Sequence, residues 1–139
     1  VDRPVVGISS LDILALNASA EGKMVCPVVD AKRNLVYCSM YKIKPHFKKA
    51  MPYRLVSIDE LLRDKRAPSC VFLGDGLKLY KDKIISVGLQ AGLLDNESWY
   101  PRPGNIIALA RQRIAQGKAQ DLFSLKAVYL YPKECQIRK

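Results

Sequence analysis

Histidine is nearly absent from this chain: His46 is the only one among 139 residues. Cys26, Cys38, Cys70 and Cys135 form no C-x-x-C pair, so zinc-ligand spacing is absent, and His46 does not complete a metal set with them in sequence. No apolar run approaches the length of a membrane span, and no signal peptide precedes the first strand-like run. Internal repeats and low-complexity tracts are missing. So is the G-x-x-x-x-G-K-[ST] phosphate loop. Acidic residues are also in short supply, 13 against 23 lysines and arginines.

What remains is ordinary for a folded domain. Hydrophobic residues make up 49% and charged residues 26%, and the length suits one domain with its own core. The net charge of +10 favours an acidic or nucleic-acid partner, although the cations are scattered along the chain. Apolar neighbours around Cys26 and Cys70 point to reduced, buried thiols and a cytoplasmic location.

Periodicity supplies the elements. Val5 to Ile8 reads as a strand buried on both faces, with little chain before it to pair with. Ser9 or Ser10 caps a helix carrying Leu11, Leu14, Ala15 and Ala18 through Ser19, and Gly22 stops it. Met24 to Asp30 and Leu35 to Ile43 form a β-hairpin around a turn at 31–34, where Asn34 tolerates left-handed backbone. Pro27 predicts an edge strand or a bulge. Residues 44–52 read as a loop, and Tyr53 to Val56 as a third strand. Ser57 and Glu60 form a capping box for a helix to Asp64. Cys70 to Leu73 is a fourth strand, Gly74-Asp75-Gly76 a tight turn, and Leu77 to Ile85 a helix. A fifth strand is expected near Leu93 or Trp99. Pro103 opens the last helix, with Ile106, Ile107, Ala110 and Ile114 on its apolar face, Arg111, Gln112 and Arg113 turned away, and Gly117 as its stop. Val128 to Pro132 is extended, and 132–139 is a polar tail. Three strands, a helix, a strand and further helices specify an α/β fold with a mixed sheet and helices on its faces, in the ribonuclease-H-like order.

The residues assemble no catalytic set. Asp30 and Asp75 are candidate magnesium ligands in a ribonuclease-H-like nuclease, but a third acid has no place beside them, and both also suit turn chemistry. Gly74, Asp75 and Gly76 are candidates to cradle a phosphate, or simply a strand-to-helix turn. His46 lies in a Lys/Pro loop and is expected to be solvated. Lys42, Lys44, Lys48, Lys49 and Arg54 are nucleic-acid candidates; Tyr41, Phe47 and Tyr53 among them either stack on bases or fold back on the core. An independent nucleic-acid-binding module is the alternative function that follows from that surface. No cofactor is expected.

Five segments resemble the bacterial TsaB (YeaZ-like) family. Residues 4–15, P-V-V-G-I-S-S-L-D-I-L-A, are similar to its P-V-V-G-V-S-S-L-E-A-L-A. Residues 28–37, V-V-D-A-K-R-N-L-V-Y, resemble its L-I-D-A-R-R-G-E-V-Y, and 72–76, F-L-G-D-G, its F-V-G-D-G. Pro103 to Ala110 is similar to its late helix and Val128 to Leu130 to its closing P-x-Y-L-R. Departures are Asn34 for Gly, Leu35 for Glu and Tyr131 for Arg. The resemblance implies one ribonuclease-H-like lobe of the actin-like, sugar-kinase and Hsp70-like ATPase fold. In that reading 1–8 is the last strand of a missing N-terminal lobe and 9–131 the C-terminal lobe. The family's G-P-G-S-F-T-G-L-R segment belongs upstream. The implied role is a non-catalytic scaffold or dimerisation subunit supporting TsaD, which transfers threonylcarbamoyl to the adenosine beside the tRNA anticodon, with the ATPase TsaE. The TsaD contact is expected mainly on the N-terminal lobe, tRNA is met through the complex, and no membrane is involved. An unpaired strand at residues 4–8 can also pair two copies.

Overall fold

The hairpin expected at 24–43 is the centre of the molecule. In the computed structural model, which describes residues 3–18, 23–88 and 93–132, β1 (Met24–Asp30) and β2 (Leu35–Lys42) pair antiparallel, from Met24 opposite Lys42 to Asp30 opposite Val36. The edge strand β3 (Lys48–Ser57) pairs antiparallel with β2, and β4 (Cys70–Leu73) pairs parallel with β1. The sheet order is β3-β2-β1-β4. A mixed sheet follows because the β3 to β4 connection returns the chain along β1, through helix α2 (Ile58–Leu62) and a 3-10 turn at Ala67–Ser69.

Several expectations change. Pro27 sits in a central strand, not at an edge. It is tolerated because β1 and β2 pair up to Val25 and Tyr41, then again from Val28 and Cys38 in the same register, so the antiparallel ladder skips Pro27. Ser39, which falls opposite Pro27 in that register, turns its hydroxyl to Met51 O at 2.6 Å. The third strand begins at Lys48 rather than Tyr53, and register shifts beside Met40 accommodate Pro52. Half of the capping box forms: Ser57 Oγ accepts from Glu60 N at 3.2 Å, but Glu60 pairs with Arg54 instead of reaching back. The expected fifth strand is a single bridge between Leu93 and Phe72.

Val5 to Ile8 is not a sheet strand either. It makes one antiparallel bridge, Val5 to Gln120. The backbone of Gly7 is met from the side: Gly7 N donates to Gln120 Oε1 at 3.2 Å, and Arg113 donates to Gly7 O. Helix α1 (Ser10–Ala15) is capped by Ser9, whose Oγ accepts from Leu11 N at 3.3 Å. It ends at Ala15, short of the Ser19 expected; Ser19 and Gly22 lie outside the described residues, as do Cys135 and the tail from 133.

Layering follows from alternation along the strands. Helix α1 packs on β1 and β2, on the face that carries Val25 and Tyr41. Cys26 and Cys38 lie on the opposite face, towards Asp64 and Arg66. Every residue of β4 is buried, as for a strand covered on both sides. Helix α3 (Leu77–Ser86) buries Leu77 and Ile84, and helix α4 (Pro103–Ala115) lies against α1. The α4 face differs from expectation. Leu109 is its buried residue, whereas Ile106, Ile107 and Ile114 are exposed and Arg113 is turned inward. No helix among the described residues is long and apolar enough to cross a membrane.

Burial pushes the Cys38 and Cys70 thiols up to about 12, and the Cys26 thiol well above its ordinary value. A thiol raised in the folded state stays protonated while its unfolded counterpart ionises, so stability falls as pH rises from about 9 towards 12. In a Cys135→Ser variant, a disulfide-exchange reagent at neutral pH is expected to find almost no thiol in the native chain and all three after denaturation. Rapid reaction of a native thiol contradicts this burial.

Candidate functional site

Two clusters bring charged residues together, one at each end of β1. At its C-terminal end, three successive non-glycine residues, Lys32, Arg33 and Asn34, have φ of 64, 52 and 60°. The left-handed backbone expected of Asn34 thus extends to two bulkier residues, each costing roughly 1–2 kcal/mol. The surrounding bonds hold it. Asp30 Oδ1 accepts from Lys32 N at 2.8 Å, Ala31 N donates to Leu35 O at 3.0 Å, and Tyr131 OH donates to Ala31 O. Tyr131 also meets Tyr37 edge-on, centroids 6.1 Å apart. The departure from the family's Arg at 131 therefore anchors the closing segment on this turn.

Asp30 and Asp75 do come together, through the backbone: Asp75 Oδ1 accepts from Asp30 N at 3.1 Å. The Asp30 carboxylate pairs with Lys32, whose hydrogen bonds hold it below the usual carboxylate range. Among the described residues no three His, Cys, Asp or Glu side chains are grouped to share a metal ion. The Gly74–Gly76 turn is equally occupied. Gly76 N donates to Val28 O at 3.0 Å, Leu77 N to Gly74 O and Lys78 N to Asp75 O, both at 3.1 Å, so those donors are engaged within the chain. Gly74, at φ 112°, has room for no Cβ: one would lie 2.4 Å from Val28 O. Close approach of the turn to β1 accounts for the glycines.

The second cluster was not legible as a site. Asp12, 2% exposed on α1, accepts from Tyr41 OH at 2.7 Å, from Tyr53 OH at 2.8 and 2.9 Å, and from Arg113 Nη2 at 2.7 Å. Burial, then the Asp12 carboxylate, push the Tyr41 hydroxyl far above its ordinary value, so it donates at any neutral pH. The signal was a lone acid inside the apolar run Leu11 to Ala15. Beside it, Asn105 Nδ2 donates to Asn17 Oδ1 at 2.8 Å and to Ile13 O at 3.2 Å, fixing α4 to the end of α1.

The basic loop leads to this cluster. Lys42, Lys44, Lys48 and Lys49 are exposed, as is His46. Its aromatic residues fold back: Phe47 stacks on buried Tyr41 with centroids 5.3 Å apart, and Lys49 Nζ sits 3.3 Å over the Tyr53 ring. Tyr41 is thereby fully buried, while Phe47 and Tyr53 are each half-buried. Arg54 is paired with Glu60. The cleft beside Arg113 is lined by Tyr53, Lys118 and Lys126 and encloses about 1020 Å³.

Comparison with known proteins identifies the fold's relatives. The family described as "TsaD: tRNA N6-adenosine threonylcarbamoyltransferase" matches residues 1–128. The chain belongs to that family. A curated relative, the tRNA threonylcarbamoyladenosine biosynthesis protein TsaB of Bacillus subtilis (strain 168), is 28% identical over 143 residues, covering 99% of this chain and 60% of its own length. Two solved structures from Pseudomonas aeruginosa share the fold. One, a protein similar to peptidase YEAZ, has a TM-score of 0.75 at 23% identity, over 93% of this chain and 60% of the other. The other, YeaZ, has a TM-score of 0.66 at 22% identity, over 88% and 57%. The chain thus spans about 60% of the length of these relatives. The mixed sheet is that of the actin-like ATPase fold, and the resemblance to TsaB and YeaZ holds across the chain.

If close approach, rather than ligand contact, is the reason for Gly74, then Gly74→Ala destabilises by about 2 kcal/mol or more. Gly88→Ala, also at positive φ but with nothing within 4 Å, costs only about 1 kcal/mol. Urea unfolding of the two variants compares them directly; equal costs contradict the assignment.

Proposed function

We propose that this chain is a non-catalytic, scaffold lobe in the synthesis of threonylcarbamoyladenosine on tRNA. The observation that carries this is the match to TsaB along 99% of the chain. The local chemistry supports a supporting role. Asp30 and Asp75 are spent on the hairpin and the β4–α3 junction, and the N–H groups at Gly76, Leu77 and Lys78 on intrachain bonds. In this reading residues 9–131 form the C-terminal lobe and 1–8 lead in from an N-terminal one. A TsaD-like transferase is the partner, a TsaE-like ATPase completes the assembly, and tRNA is met through the complex.

The test is reconstitution. Labelled threonine should not enter tRNA with this chain alone. It should enter when a TsaD-like subunit, its ATPase and the longer TsaB-type protein containing this chain are combined, and should drop at least about tenfold without that protein. Incorporation by the chain alone, or full activity without the longer protein, contradicts the proposal.

A further inference from the structure

We propose that the cleft beside Arg113 is a binding site for phosphate groups. Its wall is made by residues 7–10, by Arg113, Lys118 and Gln120, and by residues 125–128, with Tyr53 at its side. Among the described residues three cations line it and no carboxylate does. Asp12, beneath the floor, neutralises Arg113 and holds it in place. Among the described residues Lys118 and Lys126 have no ion-pair partner. Asp121, next to Gln120, turns its carboxylate to Ser124 N at 2.9 Å and is not part of the wall.

The cleft therefore keeps two uncompensated positive charges in a concave space. A concavity lined by one sign of charge focuses its field, which a convex basic surface does not. Elsewhere cations either meet a carboxylate, as Lys32 does at Asp30, Arg54 at Glu60, Arg66 at Asp64 and Lys83 at Asp59, or stand on exposed surface, as Lys42, Lys48, Lys65 and Lys81 do; what distinguishes Lys118 and Lys126 is that one cleft holds both. Two charges match one phosphate monoester, which carries about −1.5 to −2, or two successive phosphodiesters of a nucleic-acid backbone, at about −1 each, better than a single carboxylate. About 1020 Å³ also exceeds what one phosphate fills, and Ile8, Leu125 and Val128 give the same cleft an apolar wall. The ligand is thus a phosphate borne on a larger molecule, either a free polyphosphate or nucleotide, or the backbone of an RNA. This site does not depend on the role proposed above, and its test needs no partner protein.

Two probes separate the sources. Inorganic pyrophosphate is titrated calorimetrically, and a short labelled single-stranded RNA by anisotropy, both at low salt. The exposed pair Lys118→Gln/Lys126→Gln leaves Arg113 and the fold intact; Lys65→Gln/Lys81→Gln, outside the cleft, removes the same charge. At least one probe is expected to bind. The cleft pair should weaken it about tenfold or more and, for RNA, lower the salt slope by about 0.7 for each phosphate no longer neutralised, with the control pair within about twofold. Binding of pyrophosphate alone assigns a small ligand; binding of RNA alone assigns a backbone site. The proposal is overturned if neither probe binds, if the cleft pair binds as tightly as the parent chain, or if the control pair loses as much.

Discussion

A buried carboxylate has to be balanced, and the way Asp12 is balanced ties this molecule together. Removing a charge from water costs several kcal/mol unless partners replace the solvent. Asp12 takes them from three elements: Tyr41 on β2, Tyr53 on β3 and Arg113 on α4. Satisfying one side chain of α1 thereby sets how the helix sits on the sheet and how α4 sits on the helix. Arg113 also donates to Gly7 O, so the segment before α1 is fixed by the same ion pair. Just beyond the end of α1, the hydrogen bond from Asn105 to Asn17 ties α4 to the same helix a second time.

The two ends of β1 use polar groups differently. Beyond Asp30, carboxylates and glycines are consumed in making a tight hairpin and a close strand-to-helix turn. Little chemistry is left over there. Around Asp12 the polar groups are consumed too, but Lys118 and Lys126 remain on the rim above them. The cleft that frames these two lysines, and not the turn that most resembles a phosphate loop, is where the phosphate site is proposed.

Much of the sheet was legible because its strands are apolar runs bounded by turn residues. Met24 to Asp30, Leu35 to Lys42 and Cys70 to Leu73 appear where alternation and continuity place them. Pro27 misled because proline's missing N–H matters only where the ladder needs it, and the ladder skips that position. Lys48 to Pro52 read as a loop because charge and proline mask an edge strand, where both are tolerated. The α4 face misled for a related reason: helical spacing groups Ile106, Ile107 and Ile114 correctly, but spacing does not say which face meets the core. Arg113 decides that, by reaching an acid a hundred residues away in sequence, and no local pattern reports such a pair. The family resemblance includes Asp12, within residues 4–15, but none of its partners: Tyr41, Tyr53 and Arg113 all lie outside the matching segments.

The measurement closest to the centre of this account is a double-mutant cycle on Asp12 and Arg113 by urea unfolding. Arg113→Gln, which strands the buried carboxylate, should cost about 3 kcal/mol or more. Adding Asp12→Asn should recover part of that loss, giving a coupling of at least about 1 kcal/mol. Costs that add to within about 0.5 kcal/mol would contradict the account, because they would mean that Arg113 does not balance Asp12.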